Sequence, residues 1–310
     1  MNERSSESRT AASSSAEVSV IVVTYNAMPW IEPCLESVHG CELIVVDHGS
    51  SDGTLELMRE RFPEAHLIKQ ENRGLGAGWN TGMRAARGKC YLLLNADAWV
   101  VAGGVARLVD VLERNPAAAI VGPLLRNRDG TLQRSVRGFP TLWRLATEYF
   151  LLRKLAPRTR LFNAFYGGGF RHDRELEAEF LMGAALLVRP QAVNEVGGLD
   201  ERFFLFSEEV DWCYRFRQAG WKILFTPTAE VVHVGGASHG GKLFREQVQG
   251  HLLFLEKHRG VRTARVARAL LLVSLTIRGL VFPGSRGRMY RDAARWLRSG
   301  PLQVLLAWRR

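Results

Sequence analysis

Five acids and a histidine stand where apolar runs begin or end. Asp47 follows ELIVV, Asp97 follows YLLLNA, Glu208, Glu209 and Asp211 follow FFLFS, and His233 sits in EVVHVGG. A carboxylate at the end of a buried strand either caps a turn or faces a ligand. In Asn95-Ala96-Asp97 the two readings are an Asx turn and a hard-cation site, since Mg²⁺ and Mn²⁺ take oxygen ligands, few from protein and the rest from phosphate and water. Asn95 stands where a second acid would help, so a further ligand must come from elsewhere. His233 is the candidate, although a lone histidine ending a strand is more often structural. Asp47 precedes GSSDGT, in which Asp52 and Gly53 are accounted for by a strand–turn–helix link. Asp47 itself is not, and a carboxylate at that strand end can accept the imide N–H of uracil or thymine. Three acids at a helix start answer the helix dipole. Beside Phe204 and Phe206 they can also carry a carboxyl whose pKa is raised into the range of a general base. Asp211 and Arg215 are spaced i,i+4, which offers Asp211 an ion pair.

The elements that must hold these residues alternate. VSVIVV (18–23), ELIVV (42–46), HLI (66–68), YLLL (91–94) and AAIVG (118–122) are short, solidly apolar runs, as expected of strands covered on both faces. Helix-like stretches lie between them at 30–38, 54–62, 77–87 and 105–114, so the first half reads as a doubly wound, mostly parallel α/β sheet. Such sheets bind ligands beyond the carboxyl ends of their strands. Those ends are polar or glycine-rich four times in succession: Thr24-Tyr25-Asn26, the Asp47 loop, NRGLGAGWN (72–80) and Asn95-Ala96-Asp97. NRGLGAGWN has neither the Gly-Lys-Ser/Thr of a phosphate loop nor GxGxxG spacing; near the other ends its glycines suit close backbone approach to a nucleotide sugar.

Residues 123–180 are less regular and carry basic and aromatic side chains, among them Arg134, Arg137, Phe139, Trp143, Arg153 and Lys154. Arg134 and Arg137 can grip a phosphate, a role that surface exposure explains equally well. Regular patterning resumes at GAALLVR (183–189), then an amphipathic stretch at 208–220, KILF (222–225) and EVVHV (230–234); His239 reads as a loop residue.

The formal net charge is +11 over 310 residues. Residues 1–250 hold 29 basic and 29 acidic residues, whereas 251–310 hold 13 and 2. The expected organisation is therefore a disordered Ser-rich tail (1–16), a globular domain (17–250) and a basic amphipathic helical region (251–310). In the last of these, Arg alternates with Trp, Leu and Val, which suits helices lying in a bilayer interface; a helical cap with a solvated basic face is the plainer reading. No apolar run is long enough to span a bilayer. Nucleic-acid binding lacks a recognisable module. Four cysteines without CxxC spacing suit a reduced compartment.

VSVIVVTYNA, ELIVVDHGSSDGT, ENRGLGAGWNTGM, LLLNADAWV, the stretch from FLMGAALLVRP to GWKILF, and VVHVGGAS resemble, in order, the segments of family-2 inverting glycosyltransferases. The likeness covers roughly residues 17–240 and is greatest to a rhamnosyltransferase-like branch. It implies a GT-A (Rossmann-like) fold with a mixed, mostly parallel sheet flanked by helices. It also implies single-displacement transfer with Mg²⁺ or Mn²⁺ as cofactor. Thr24, Tyr25, Asn26 and Asp47 would hold the nucleoside, and Gly74 and Asn80 the diphosphate or sugar. Asn95, Ala96 and Asp97 would form the DXD-like position, with Asp97 and His233 on the metal. Glu209 would be the catalytic base, with Asp211 the alternative, and Glu208 and Asp211 otherwise catalytic or supporting acids. Glu208-Glu209 stands where the family usually has Glu-Asp, so the base is one methylene longer. Arg134, Arg137, Gly183 and Ala184 would lie toward the acceptor. The implied donor is dTDP-L-rhamnose, or another dTDP- or UDP-sugar, and the acceptor a polyprenyl-diphosphate-linked GlcNAc or similar glycan. A peripheral place on the cytoplasmic face of the membrane follows from such an acceptor. A non-catalytic nucleotide-sugar-binding subunit is the competing reading.

Overall fold

The computed structural model describes residues 17–235 and 243–299. The tail expected at 1–16, and His239, lie outside the described residues. In chain order the first half runs β1 (Val18–Thr24), α1 (Ile31–Glu36), β2 (Glu42–Asp47), α2 (Thr54–Arg61), β3 (His66–Lys69), α3 (Leu75–Ala85) and β4 (Cys90–Asn95). It continues with β5 (Ala98–Val100), α4 (Gly104–Glu113) and β6 (Ala118–Arg126). The second half holds β7 (Leu132–Gln133), β8 (Val136–Arg137), α5 (Leu142–Tyr149), α6 (Arg160–Asn163), β9 (Leu176–Glu177), β10 (Phe180–Leu181), β11 (Ala185–Val188) and α7 (Pro190–Val196). It closes with α8 (Glu208–Gln218), β12 (Lys222–His233), α9 (Phe244–Arg259), α10 (Val261–Val281) and α11 (Gly284–Ser299).

The sheet order is β3-β2-β1-β4-β11-β6-β12-β5. β1 pairs in parallel with β2 and β4, β2 with β3, and β6 with β12. β11 runs antiparallel between β4 and β6, and β5 antiparallel on β12. The carboxyl ends of β1, β2, β4, β6 and β12 therefore share one edge, as the strand-exit pattern requires.

Side chains alternate across this sheet with period two. Val18, Val20 and Val22 of β1, with Leu43, Val45, Leu92 and Leu94, meet α1, α2 and α4. Ile21, Ile44, Val46 and Leu93 point the other way, toward Trp79 and Met83 of α3 and a core that extends through α8 to α11. Covering both faces explains why these strands read as unbroken apolar runs. β3 departs from that expectation: at the sheet edge, none of its four residues is buried. KILF and EVVH belong to a single 12-residue strand, β12, whose pairing with β6 is irregular between Phe225 and Glu230.

The boundary expected at residue 250 falls inside α9, whose Leu252, Leu253, Phe254 and Leu255 are core residues. Ala264, Ala267, Leu271 and Leu275 of α10, and Tyr290, Ala293, Ala294 and Leu297 of α11, join the same core. Burying a leucine side chain is worth about 1.5–3 kcal/mol, so this hairpin is part of the globule rather than an appendage. The helical-cap reading describes its packing. α10 nonetheless leaves a second stripe uncovered, formed by Val266, Ala269, Val273, Ile277 and Leu280. Leu280 is 80% exposed.

Candidate active site

Asp97 and His233 meet because β5, a three-residue strand, reverses the chain directly after Asp97 and pairs with the end of β12. His233 lies opposite Ala98 in that register, and the N–H of Val234 donates to the carbonyl of Asp97 (3.0 Å). His233 Nε2 is 3.3 Å from Asp97 Oδ1, and the Asn95 amide nitrogen is 3.3 Å from the same ring atom. The N–H of Gly235 donates to Asp97 Oδ2. Asn95 thus approaches the histidine through its amide nitrogen, and buried Ala96 serves the turn between β4 and β5.

Gln133 decides what the histidine can do. Its amide nitrogen donates to Asn127 Oδ1 (2.9 Å) and to the carbonyl of His233 (3.3 Å), which turns Oε1 toward His233 Nδ1 at 2.7 Å. A carboxamide oxygen only accepts, so Nδ1 carries the proton and, in the neutral ring, Nε2 presents a lone pair beside Asp97 Oδ1. A carboxylate oxygen and an imidazole lone pair side by side suit a divalent cation, with the second ring nitrogen anchored as metal-bound histidines usually are. Among the described residues no group of three or more His, Cys, Asp or Glu side chains gathers, so water and phosphate oxygens would complete the shell. Gln133→Leu is expected to weaken Mn²⁺ binding about tenfold with the fold intact, read by electron paramagnetic resonance of free Mn²⁺.

Glu208 and Glu209 open α8. The turn before it is strained: Phe206 and Ser207 adopt left-handed φ values of 68° and 71°, a conformation that costs non-glycine residues about 1 kcal/mol or more each. α9 clamps that turn at Gly250, where an added Cβ would lie 2.8 Å from the carbonyl oxygen of Phe206. Glu208 is 3% exposed, whereas Glu209 is partly accessible; Oε2 of each is buried without a hydrogen-bond partner. Burial pushes both carboxyls above their ordinary range. Glu208 is pushed furthest, because the charge of Glu209 adds to its burial. Backbone N–H groups of Glu209, Val210 and Gly183, with the charge of Arg137, pull Glu209 part of the way back. Both carboxyls are thus raised, Glu208 more than Glu209, and a raised pKa is the property a general base needs.

Asp211 does not belong with them, contrary to its expected role as a catalytic or supporting acid. It is 0% exposed and ion-paired to Arg215 (2.8 Å) and Lys257 (2.6 Å), with the His258 imidazole at 2.7 Å. Burial alone would raise its pKa, but His258, Lys257 and Arg215 hold it below the usual carboxylate range. It ties α8 to the end of α9.

The other expected site residues divide. The exits of β1 and β2 are laced together: Asn26 Oδ1 accepts from the N–H of Ser51, and the N–H of Asn26 donates to Ser50 Oγ. The Asp47 carboxylate accepts from the N–H groups of Gly49 and Ser50 and so shapes its own loop. Thr24 Oγ1 is buried without a partner, and the Tyr25 side chain stands 45% exposed at the edge. Gly74 and Asn80 turn inward, contrary to their expected contact with diphosphate or sugar. A Cβ on Gly74, which has φ +97°, would lie 2.3 Å from the carbonyl oxygen of Phe204. Asn80 spends its amide on the backbone of Leu199 and on Glu201. Gly183 does reach the site, since a Cβ there would lie 3.5 Å from Glu209 Cγ. Ala184 does not: its side chain is buried, and its carbonyl accepts from the N–H of Asn95. That bond joins the Asp97 side of the site to the Glu209 side. Arg134 and Arg137 are not a pair, because Arg134 donates to the carbonyl of Phe170 while Arg137 reaches Met182 Sδ and the ring of Tyr166.

The sheet order, with helices on both faces, is that of a GT-A fold, and the chain belongs to the glycosyltransferase family 2. The model of that family, described as Glycosyl transferase family 2, matches residues 19–175. A curated relative, the N-acetylglucosaminyl-diphospho-decaprenol L-rhamnosyltransferase of Mycobacterium tuberculosis, is 32% identical over 246 residues, which cover 71% of this chain and 77% of the relative. The fold is shared with a mannosyltransferase of Pyrobaculum calidifontis solved with GDP-Man and Mn²⁺ (TM-score 0.54, 18% identity, 93% of this chain and 82% of that one). It is shared too with GalNAc-T7 solved with UDP, GalNAc and Mn²⁺ (TM-score 0.55, 16% identity, 91% and 56%).

Proposed function

We propose that the enzyme is a metal-dependent, inverting rhamnosyltransferase. It moves L-rhamnose from dTDP-L-rhamnose to polyprenyl-diphospho-GlcNAc, or a similar lipid-linked glycan, in envelope polysaccharide synthesis. The observation that carries this reading is the placement of Glu209. Its carboxylate lies against Gly183, and the Asn95–Ala184 backbone bond sets it across the same edge from Asp97 and His233. Similarity to the mycobacterial relative supports the choice of donor and acceptor.

In this reading Glu209 takes the proton from the acceptor hydroxyl, whose oxygen attacks the anomeric carbon from the face opposite the nucleotide. The new C–O bond forms as the bond to the diphosphate oxygen breaks, the electron pair leaves with the nucleoside diphosphate, and the configuration inverts. Asp97 and His233 would hold the divalent metal, which when bound neutralises charge on the departing diphosphate. The laced exits of β1 and β2 form the nucleoside seat: Tyr25 offers its ring to the base, and Thr24, Asn26 and Asp47 set the loop around it.

The enzyme sits at the cytoplasmic face of the membrane as a peripheral protein. The exposed apolar stripe of α10, with the exposed Arg262 and Arg265 on the same helix, supports this placement, since apolar ridges beside basic residues favour anionic bilayer interfaces. Among the described residues no helix is long and apolar enough to cross a membrane.

The test is a donor panel of dTDP-L-rhamnose, other dTDP-sugars and UDP-sugars, each with Mg²⁺ or Mn²⁺ and a short-chain polyprenyl-diphospho-GlcNAc. Transfer from dTDP-L-rhamnose, abolished by Asp97→Ala, is the expected result. Preference for a UDP-sugar would overturn the donor assignment. Donor binding with no transfer would point to a non-catalytic subunit.

A further inference from the structure

Between the proposed base and the exposed apolar surface lies a cationic cluster that the donor side does not use. Arg137 is its inner member. Its guanidinium touches Met182 Sδ at 3.4 Å and lies 5.1 Å from the centre of the Tyr166 ring. No carboxylate among the described residues comes within ion-pair distance of it, and its Nε is buried without a hydrogen-bond partner. A buried guanidinium N–H left without an acceptor is costly, and an anion bound there would satisfy it.

Arg153 is the outer member. Its guanidinium is also 5.1 Å from the Tyr166 ring centre and is paired with Glu148 at 2.6 Å. Two guanidiniums therefore share one aromatic ring, and only Arg153 is paired with a carboxylate, which leaves a single positive charge in excess.

The order of groups in space is informative. Inward, Met182 adjoins Gly183, which packs on Glu209, and Arg137 is near enough for its charge to act on that carboxylate. Outward, Arg153 lies between Phe150 and Leu155, both exposed. α10 packs on the end of α5 beside them, where Ser274 Oγ donates to the carbonyl of Tyr149 and Arg278 to that of Glu148. From the inside outward the molecule presents a base, two guanidiniums and an apolar face. A lipid-linked acceptor presents, in the same order, a sugar hydroxyl, a diphosphate and a hydrocarbon chain.

We infer that Arg137 and Arg153, stacked on Tyr166, form the seat for the diphosphate of a prenyl-diphosphate-linked acceptor. The apolar surface of Phe150, Leu155 and α10 then receives the chain. This inference rests on the proposed acceptor class but not on the identity of the donor sugar. Guanidiniums recognise phosphate oxygens through paired N–H donors, and the ring holds both planes in place at little entropic cost.

The test uses the full chain with Mg²⁺ and a saturating nucleoside diphosphate, so that the donor seat is filled. Geranyl diphosphate, geranyl monophosphate and geraniol are titrated by calorimetry. The expected result is tightest binding for the diphosphate and weakest for the alcohol. Arg137→Gln and Arg153→Gln should each weaken diphosphate binding at least about tenfold, and Arg153→Lys should fall between. Geraniol binding as tightly as geranyl diphosphate, or variants that bind the diphosphate like the parent, would overturn the inference. Arg153 lies on the surface side, so its variants carry the test even if Arg137→Gln does not fold. An enzyme that uses a different donor sugar would still show this binding pattern, so the two readings fail separately.

Discussion

Replacing Glu209 with glutamine lowers kcat about a thousandfold while the KM for the nucleotide sugar changes little. The amide keeps the packing against Gly183 but cannot take the acceptor proton. The carboxyl is pushed above the ordinary carboxylate range by burial, so the parent enzyme loses kcat/KM on acidification at a pH above that of an exposed glutamate. The sign follows from the role: only the ionised form is a base, so the rate rises as pH passes upward through the raised pKa. Steady-state rates from about pH 4 to 9 for the parent and the variant check both points. Glu208→Gln supplies the contrast, since an acid with a raised pKa holds its proton in the fold and stability falls as pH climbs above the unfolded value. That variant should keep most of its turnover and melt higher at neutral pH, with the gain fading in acid. A Glu208→Gln enzyme as inactive as Glu209→Gln would assign the proton to the pair rather than to Glu209.

The second large effect is on stability. Asp211→Asn removes the carboxylate that two cations and an imidazole share at the junction of α8 and α9. Breaking a buried pair by removing one partner costs about 3–5 kcal/mol; Lys257 and Arg215 retain some access to water, so the lower end, about 3 kcal/mol, is expected. An acid whose pKa is depressed in the fold binds fewer protons folded than unfolded. Its contribution is complete above the ordinary aspartate value and is lost as pH falls through the depressed one. The parent should therefore destabilise in acid more steeply than Asp211→Asn, as followed by urea unfolding at several pH values. At temperatures where the variant is folded, its kcat should stay close to that of the parent, unlike Glu209→Gln.

These two acids also show what was legible in the sequence and what was not. Their position at a helix start, and the i,i+4 pairing of Asp211 with Arg215, could be read directly because both are local. The assignment of Asp211 to structure depended on Lys257 and His258, nearly fifty residues onward, which no periodicity connects to α8. The main strands could be read because a sheet covered on both faces demands unbroken apolar runs. β3 was over-read, since a short edge strand keeps apolar residues without the burial. β5 escaped notice at three residues, so the meeting of His233 and Asp97 was expected without the strand pairing that produces it. Gln133 carried no signal, being one amide in a two-residue strand. Asn80 and Gly74 looked like ligand contacts because polar and glycine residues at strand ends serve both ligands and tight packing, and only tertiary contacts separate the two. The basic, aromatic character of residues 123–180 was visible, but Arg137 finds Arg153 rather than Arg134 through the ring of Tyr166, a choice made by folding of the intervening chain.

β11 runs against its neighbours, and that reversal divides the work of the molecule. On the nucleotide side, chain leaving strands β1, β2 and β4 delivers the side chains, so any change in those strands moves the loops with them. On the other side the chain is still arriving: Met182 and Gly183 are the last residues before β11, the end of a long excursion that began after β6. Residues can be added to or removed from that excursion without altering the register of β1, β2 and β4. The proposed donor side is thereby tied to the framework, and the proposed acceptor side can be reshaped while the donor side stays as it is.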